Sequence, residues 1–140
     1  MTKEDEAMPS RIYIETSIVS YLTSRPSKDV ITSACQQITK AWWEHGRLTV
    51  MSYISPYVIE DASAGDPQAA SNRLNALREI PLLPITPEIP ELAEFLLLGG
   101  GLPAKARFDA LHIACAAYHQ MDVLLTWNFA PTLPIRRSCR

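Results

Sequence analysis

Glu15, Asp109 and Asn128 carry oxygen-bearing side chains at places where a chain of this pattern can gather them. Glu15 follows the apolar run Arg11-Ile12-Tyr13-Ile14, and Asn128 follows Val123-Leu124-Leu125-Thr126-Trp127. Asp109 stands near the start of the helical stretch Phe108 to Ala114, among small and apolar residues. In an open parallel α/β sheet the carboxyl ends of the strands and the turns after them converge on one edge, where ligands bind. A carboxylate in apolar surroundings needs a partner there. Several acidic oxygens on one edge repel one another unless a cation joins them, and hard oxygen ligands select Mg²⁺ or Mn²⁺ over zinc. The chemistry implied is that of phosphate esters, because a divalent ion acidifies a bound water and offsets charge developing on a phosphodiester. Each acid alone has a plainer use, at a helix N-terminus or on a solvated face. Their convergence is what points to a site.

The elements that must position these residues follow from apolar spacing and punctuation. The run 11–14 reads as a short buried strand, with Thr16 or Ser17 available to cap a following helix. Val30, Ala34, Ile38, Ala41 and Trp42 repeat at helical spacing up to Gly46, which predicts a long amphipathic helix with that face inward. Leu48 to Ser52 is predicted as a second strand, and Ser55-Pro56 and Asp66-Pro67 as the caps and first residues of two helices, the first of them ended by Gly65. Pro81 to Ile85 carries two prolines, so as a strand it is an edge or irregular one. Helices are predicted from Glu88 to Leu98 and from near Pro103 to His119, separated by a triple glycine that ends a helix and lacks the Gly-Lys-Ser/Thr of a phosphate loop. The run 123–127 is the last strand. Short apolar strands alternating with amphipathic helices predict an α/β sandwich with a largely parallel sheet.

The chain of 140 residues, 47% hydrophobic, has room for one domain and one core. Residues 1–10 and 131–140 are read as loose tails around a domain at 11–130, the C-terminal one basic. No apolar stretch approaches the roughly 20 residues of a membrane span, and the N-terminus lacks the apolar core of a secretory signal, so a cytoplasmic protein is expected. Three cysteines without a CxxC pair fit reduced thiols, with Cys35 and Cys115 expected inside helices as buried ones. Trp42 and Trp43 read as core and adjoining surface packing. A net charge of −2 argues against coating nucleic acid by bulk electrostatics, though not against an enzyme that holds cations.

In order along the chain, RIYIETSIVSYL (11–22), VIEDASAGDP (58–67), PAKARFDALHIA (103–114) and LLTWNF (124–129) resemble the successive motifs of PIN-domain proteins of the VapC toxin type. The resemblance spans about residues 11 to 130 and implies a PIN-like three-layer sandwich, its mostly parallel central sheet flanked by helices. It further implies a metal-dependent endoribonuclease acting on RNA, commonly a homodimer and often silenced by an antitoxin protein. The family's acids fall on Glu15, Asp61, Asp109 and, at the final acidic position, Asn128. Glu15 replaces the usual aspartate and Asp61 the usual glutamate, whereas Asn128 removes a charge that helps hold a cation. Glu15, Asp61 and Asp109 are therefore the expected catalytic and metal-holding residues, with Asn128 a further ligand of Mg²⁺ or Mn²⁺. Glu60 is the rival of its neighbour Asp61, since adjacent helix residues point about 100° apart and only one can face the site. Ser17 is a candidate ligand or a cap, and His112, one turn after Asp109, a candidate catalytic residue or a hydrogen-bonded core histidine. Lys105 and Arg107 are candidate phosphate contacts. The competing class is a PIN-like module that binds RNA or protein with little or no cleavage, which Asn128 favours.

Overall fold

A computed structural model describes residues 8–99 and 106–128. The predicted tails beyond these bounds, Lys105, most of the triple glycine and the expected helix start near Pro103 lie outside the described residues. The central strand β1 (Arg11–Ile14) leads through α1 (Thr16–Thr23), α2 (Val30–Glu44) and a 3₁₀ turn (Gly46–Thr49) to β2 (Met51–Tyr53). Then follow α3 (Pro56–Ala62), α4 (Pro67–Leu77), α5 (Glu88–Gly99), α6 (Arg107–Tyr118) and β3 (Val123–Leu125). The strands pair in the order β2-β1-β3, both pairs parallel, with Tyr13 level with Tyr53 on one side and Leu124 on the other. This is the α/β arrangement that alternating strands and helices predict.

Ile12, Tyr13 and Ile14 are all buried, as befits a parallel strand covered on both faces, and pack with Ile18, Val19, Val58, Leu77 and Ile89. Burying each such side chain is worth about 1.5–3 kcal/mol. The caps follow the sequence closely: Ser55 accepts from the Tyr57 amide and Asp66 from the Ala69 amide, each followed by a proline that gives up no needed donor. Gly65 has a φ of +87°, a conformation that costs an L side chain strain, and turns the chain from α3 into α4. The Pro81–Ile85 segment is irregular as expected: Ile54 donates to the Pro81 carbonyl and Leu83 to the Ile54 carbonyl, an isolated parallel bridge beside β2.

Four expectations are corrected. The second strand begins at Met51, because Gly46–Thr49 winds into a 3₁₀ turn held by the Thr49 hydroxyl on the Gly46 carbonyl. The cap of α1 is neither Thr16 nor Ser17 but the carboxylate of Glu15, which accepts from the Ser17 amide. In α2 most of the apolar stripe faces outward: Val30 is 80% and Ile38 58% exposed, Ala34 and Ala41 are exposed with them, and of that set only Trp42 is half-buried against the core. The inward face carries Thr39, whose hydroxyl accepts the Trp127 indole N–H at 2.7 Å, and Cys35 is only half-buried. An apolar stripe at helical spacing records that a face avoids water, not what covers it. Trp42 and Trp43 are half-buried and meet edge to face at 6.3 Å.

Candidate metal centre

The chain runs from β1 to one edge of the sheet and later crosses to the other, so the carboxyl end of β1 sits at the reversal of strand order, where α/β sheets open a crevice. Glu15 is the first residue past that end, and its amide extends the ladder by donating to Leu125. Its Oε1 accepts from the Ser17 amide at 3.1 Å, the Ser17 hydroxyl at 2.6 Å and the Thr126 hydroxyl at 2.6 Å. All three bonds end on one oxygen, so Oε2 is held in a fixed direction by its partner's anchoring. Ser17 in turn accepts from the Trp127 amide and Thr126 from the Asn128 amide, which ties the turn after β3 to the start of α1.

Asp61, on α3, is half-buried and faces this crevice, whereas Glu60 beside it is exposed. His112 comes from α6, 1% exposed, and ligand atoms of Glu15, Asp61 and His112 lie within 4.8 Å of one another. Asp109, one turn earlier on α6, stands beside the trio. Its carboxyl is pushed above the usual carboxylate range chiefly by burial and then by the Glu15 charge, with Asp61 adding and His112 opposing. Asn128, exposed at the rim, donates its side-chain amide to Asp109 Oδ1 at 3.3 Å. A neutral donor at the position where the resemblance places an acid therefore relieves some of the repulsion that a fourth carboxylate would add. Burial holds the His112 imidazole below its ordinary value, against the pull of Glu15, Asp61 and Asp109.

Glu15, Asp61 and Asn128 open into a cleft of about 470 Å³ lined also by Ser17, Tyr21, Arg73 and Trp127, among others. Arg73 escaped the reading of the sequence, because an arginine on a polar helix looks like a solubilising charge. Its Nε donates to the Ala62 carbonyl at 3.0 Å and its Nη2 to Ala64 at 2.6 Å, so a guanidinium is fixed at the mouth of an acidic cleft, where it can meet a phosphate. The rings of Tyr21 and Trp127 stack at 5.9 Å along the same cleft, a surface on which a nucleobase can lie. Tyr13 likewise looks in the sequence like one residue of an apolar run, although a buried phenol needs a partner. Arg107 is exposed and pairs with Glu94 at 3.3 Å, a surface pair of small energetic weight.

The donor chemistry fits a divalent cation. Two carboxylates and an imidazole within reach of one point, with a third carboxylate destabilised by the first two, form a set whose mutual repulsion a cation relieves.

No family model and no curated protein matches this chain. Among solved structures it is similar to VapC20 of Mycobacterium tuberculosis, described as a sarcin-ricin loop cleaving toxin, with a TM-score of 0.64 at 15% identity over 90% of this chain and 99% of that one. The chain thus has the PIN-like α/β fold of a VapC toxin.

Proposed function

We propose that the protein is a divalent-metal-dependent endoribonuclease that hydrolyses RNA phosphodiesters, the toxin of a toxin–antitoxin pair. The observation that carries this reading is the convergence of Glu15 and Asp61 with His112, and of Asp109 beside them, at the carboxyl end of β1 in a fold shared with a sarcin-ricin loop cleaving toxin. Glu15, Asp61 and Asp109 would hold one or two Mg²⁺ or Mn²⁺ ions, with Asn128 at the rim. The chemistry such an ion supplies when bound is an acidified water and a counter-charge for the phosphodiester. Arg73 contacts a phosphate at the cleft mouth, the Tyr21–Trp127 stack receives a base, and the Glu15 anchoring by Ser17 and Thr126 keeps one carboxylate in place without reorganisation. Lys105 and Arg107 remain part of the proposal as outer phosphate contacts.

The partners in this reading are an RNA substrate, an antitoxin protein and a second copy of the chain, in the cytoplasm. Among the described residues no helix is long and apolar enough to cross a membrane. The outward apolar side chains of α2 support a second copy, which sedimentation velocity at micromolar concentration tests.

A second reading, a PIN-like module that binds RNA or protein and cleaves poorly, is favoured by the amide of Asn128 where an acid is expected. The deciding experiment is cleavage of several structured RNAs, including hairpin loops, in Mn²⁺ and in chelator. Metal-dependent cleavage is expected, abolished by Asp109→Asn in a folded protein and reduced more by Asp61→Asn than by Glu60→Gln. RNA binding without cleavage in any metal would establish the second reading instead.

A further inference from the structure

Beside two of the acids that line the cleft sits a group of a different kind. His112 lies on the face of α6 that carries Asp109, and its ring is clamped between two tyrosines, edge to face with Tyr13 at 5.7 Å and with Tyr57 at 6.3 Å. The Tyr13 hydroxyl lies 2.6 Å from His112 Nδ1 and 2.7 Å from Ser55 Oγ, all of it buried. Nδ1 is thereby engaged by the strand β1, and His112 offers a ring nitrogen within 4.8 Å of the ligand atoms of Glu15 and Asp61.

The phenol has one proton for two short bonds. In one arrangement Tyr13 donates to His112 Nδ1, which puts the imidazole proton on Nε2. In the other, His112 Nδ1–H donates to the Tyr13 oxygen and Tyr13 donates to Ser55 Oγ, which makes Nε2 the basic nitrogen. Both arrangements satisfy the same heavy atoms, so the imidazole proton can sit at either end without any side chain moving. The second is the usual state of a metal-bound histidine, whose far nitrogen is held by a hydrogen-bonded partner.

We infer that His112 Nε2 is a nitrogen ligand of the cation held by Glu15 and Asp61, with Tyr13 as the positioning residue that sets its tautomer, and that the centre therefore prefers Mn²⁺ to Mg²⁺. The inference rests on the metal-site reading above. Imidazole nitrogen binds transition ions far better than Mg²⁺, which keeps to oxygen and to its own waters. A centre of two carboxylates and one imidazole discriminates between the two ions where an all-carboxylate one does so weakly.

The test is pulsed electron paramagnetic resonance of the full chain loaded with Mn²⁺, with histidine at natural abundance and then labelled with ¹⁵N, alongside calorimetric affinities for Mn²⁺ and Mg²⁺. The expected result is a nitrogen coupling that shifts with the label, persists in His45→Gln and His119→Gln, and disappears in His112→Asn. That last variant keeps a polar atom near the Nδ1 position for Tyr13 and removes Nε2. It should also lower the ratio of Mn²⁺ to Mg²⁺ affinity about tenfold or more, and Tyr13→Phe should weaken Mn²⁺ binding about 10- to 100-fold with the coupling retained. Bound Mn²⁺ without histidine nitrogen coupling in the wild-type protein overturns the inference and leaves the carboxylate site standing. Absence of Mn²⁺ binding overturns both, and the wild-type measurement decides even if a variant fails to fold.

Discussion

Glu15 has two tasks on one side chain. Its Oε1 closes the N-terminus of α1 and joins it to the turn after β3, while its charge belongs to the cluster with Asp61 and His112. The two tasks separate by substitution. Glu15→Gln keeps an oxygen for the Ser17 and Thr126 donors and loses only the charge, so stability in chelator is expected to change by less than about 1 kcal/mol. Glu15→Ala loses the cap, about 1 kcal/mol, and leaves the half-buried Ser17 and Thr126 hydroxyls short of an acceptor at about 1 kcal/mol more. Urea denaturation in chelator measures both; equal losses would show that charge, and not hydrogen bonding, anchors the turn. Cys115 illustrates a nucleophile the site does not use. Burial pushes its thiol up to about 11 against the opposing Ser55 and Tyr13 hydroxyls, so it packs as a small apolar side chain.

At the scale of elements, α2 is the instructive case. Asp29 caps it, accepting on Oδ2 from the Thr32 amide at 2.9 Å and the Thr32 hydroxyl at 2.8 Å, and those two bonds hold its carboxyl below the ordinary carboxylate range. A carboxylate with a folded-state pKa below its unfolded one adds stability above the unfolded value and loses it as pH falls through the folded value. Asp29→Ala should therefore lower the melting temperature at neutral pH, and the difference between variant and wild type should shrink below pH 4, as calorimetry across that range will measure. A constant difference down to pH 2 would assign the loss to something other than the charge. The same helix shows the limit of periodicity: its spacing identified an amphipathic helix, yet its one fully buried residue is Thr39, whose hydroxyl accepts the Trp127 indole N–H.

For the molecule as a whole, the candidate centre is assembled from four separated stretches, around residues 15, 61, 109–112 and 126–128, that only the closed fold brings together. The unfolded chain does not gather these ligands, so a cation that binds them stabilises the fold by mass action. Mn²⁺ at about 100 times its dissociation constant is expected to add about 2.7 kcal/mol, seen as a rise in melting temperature that chelator reverses. An unchanged melting temperature in millimolar Mn²⁺ would falsify the metal centre as drawn.

Much of this architecture is decided locally, and therefore legible in the sequence. The strand β1 is a short apolar run, Ser55-Pro56 and Asp66-Pro67 mark helix starts by their own hydrogen-bonding needs, and the four ordered motifs by themselves point to the PIN-like fold. Glu15 and Asp109 stand out for the same reason, since a charge beside buried residues calls for a partner wherever the chain goes. What the tertiary structure alone decided is which groups share a point in space. It turned Asp61 toward the cleft and Glu60 outward, set His112 against Tyr13 and the acids, leaned Asn128 on Asp109 and fixed Arg73 to the end of α3. It also turned most of the apolar face of α2 to the surface. These outcomes rest on contacts between residues dozens of positions apart, and neither spacing nor propensity along one segment carries information about which distant side chain will be there to meet it.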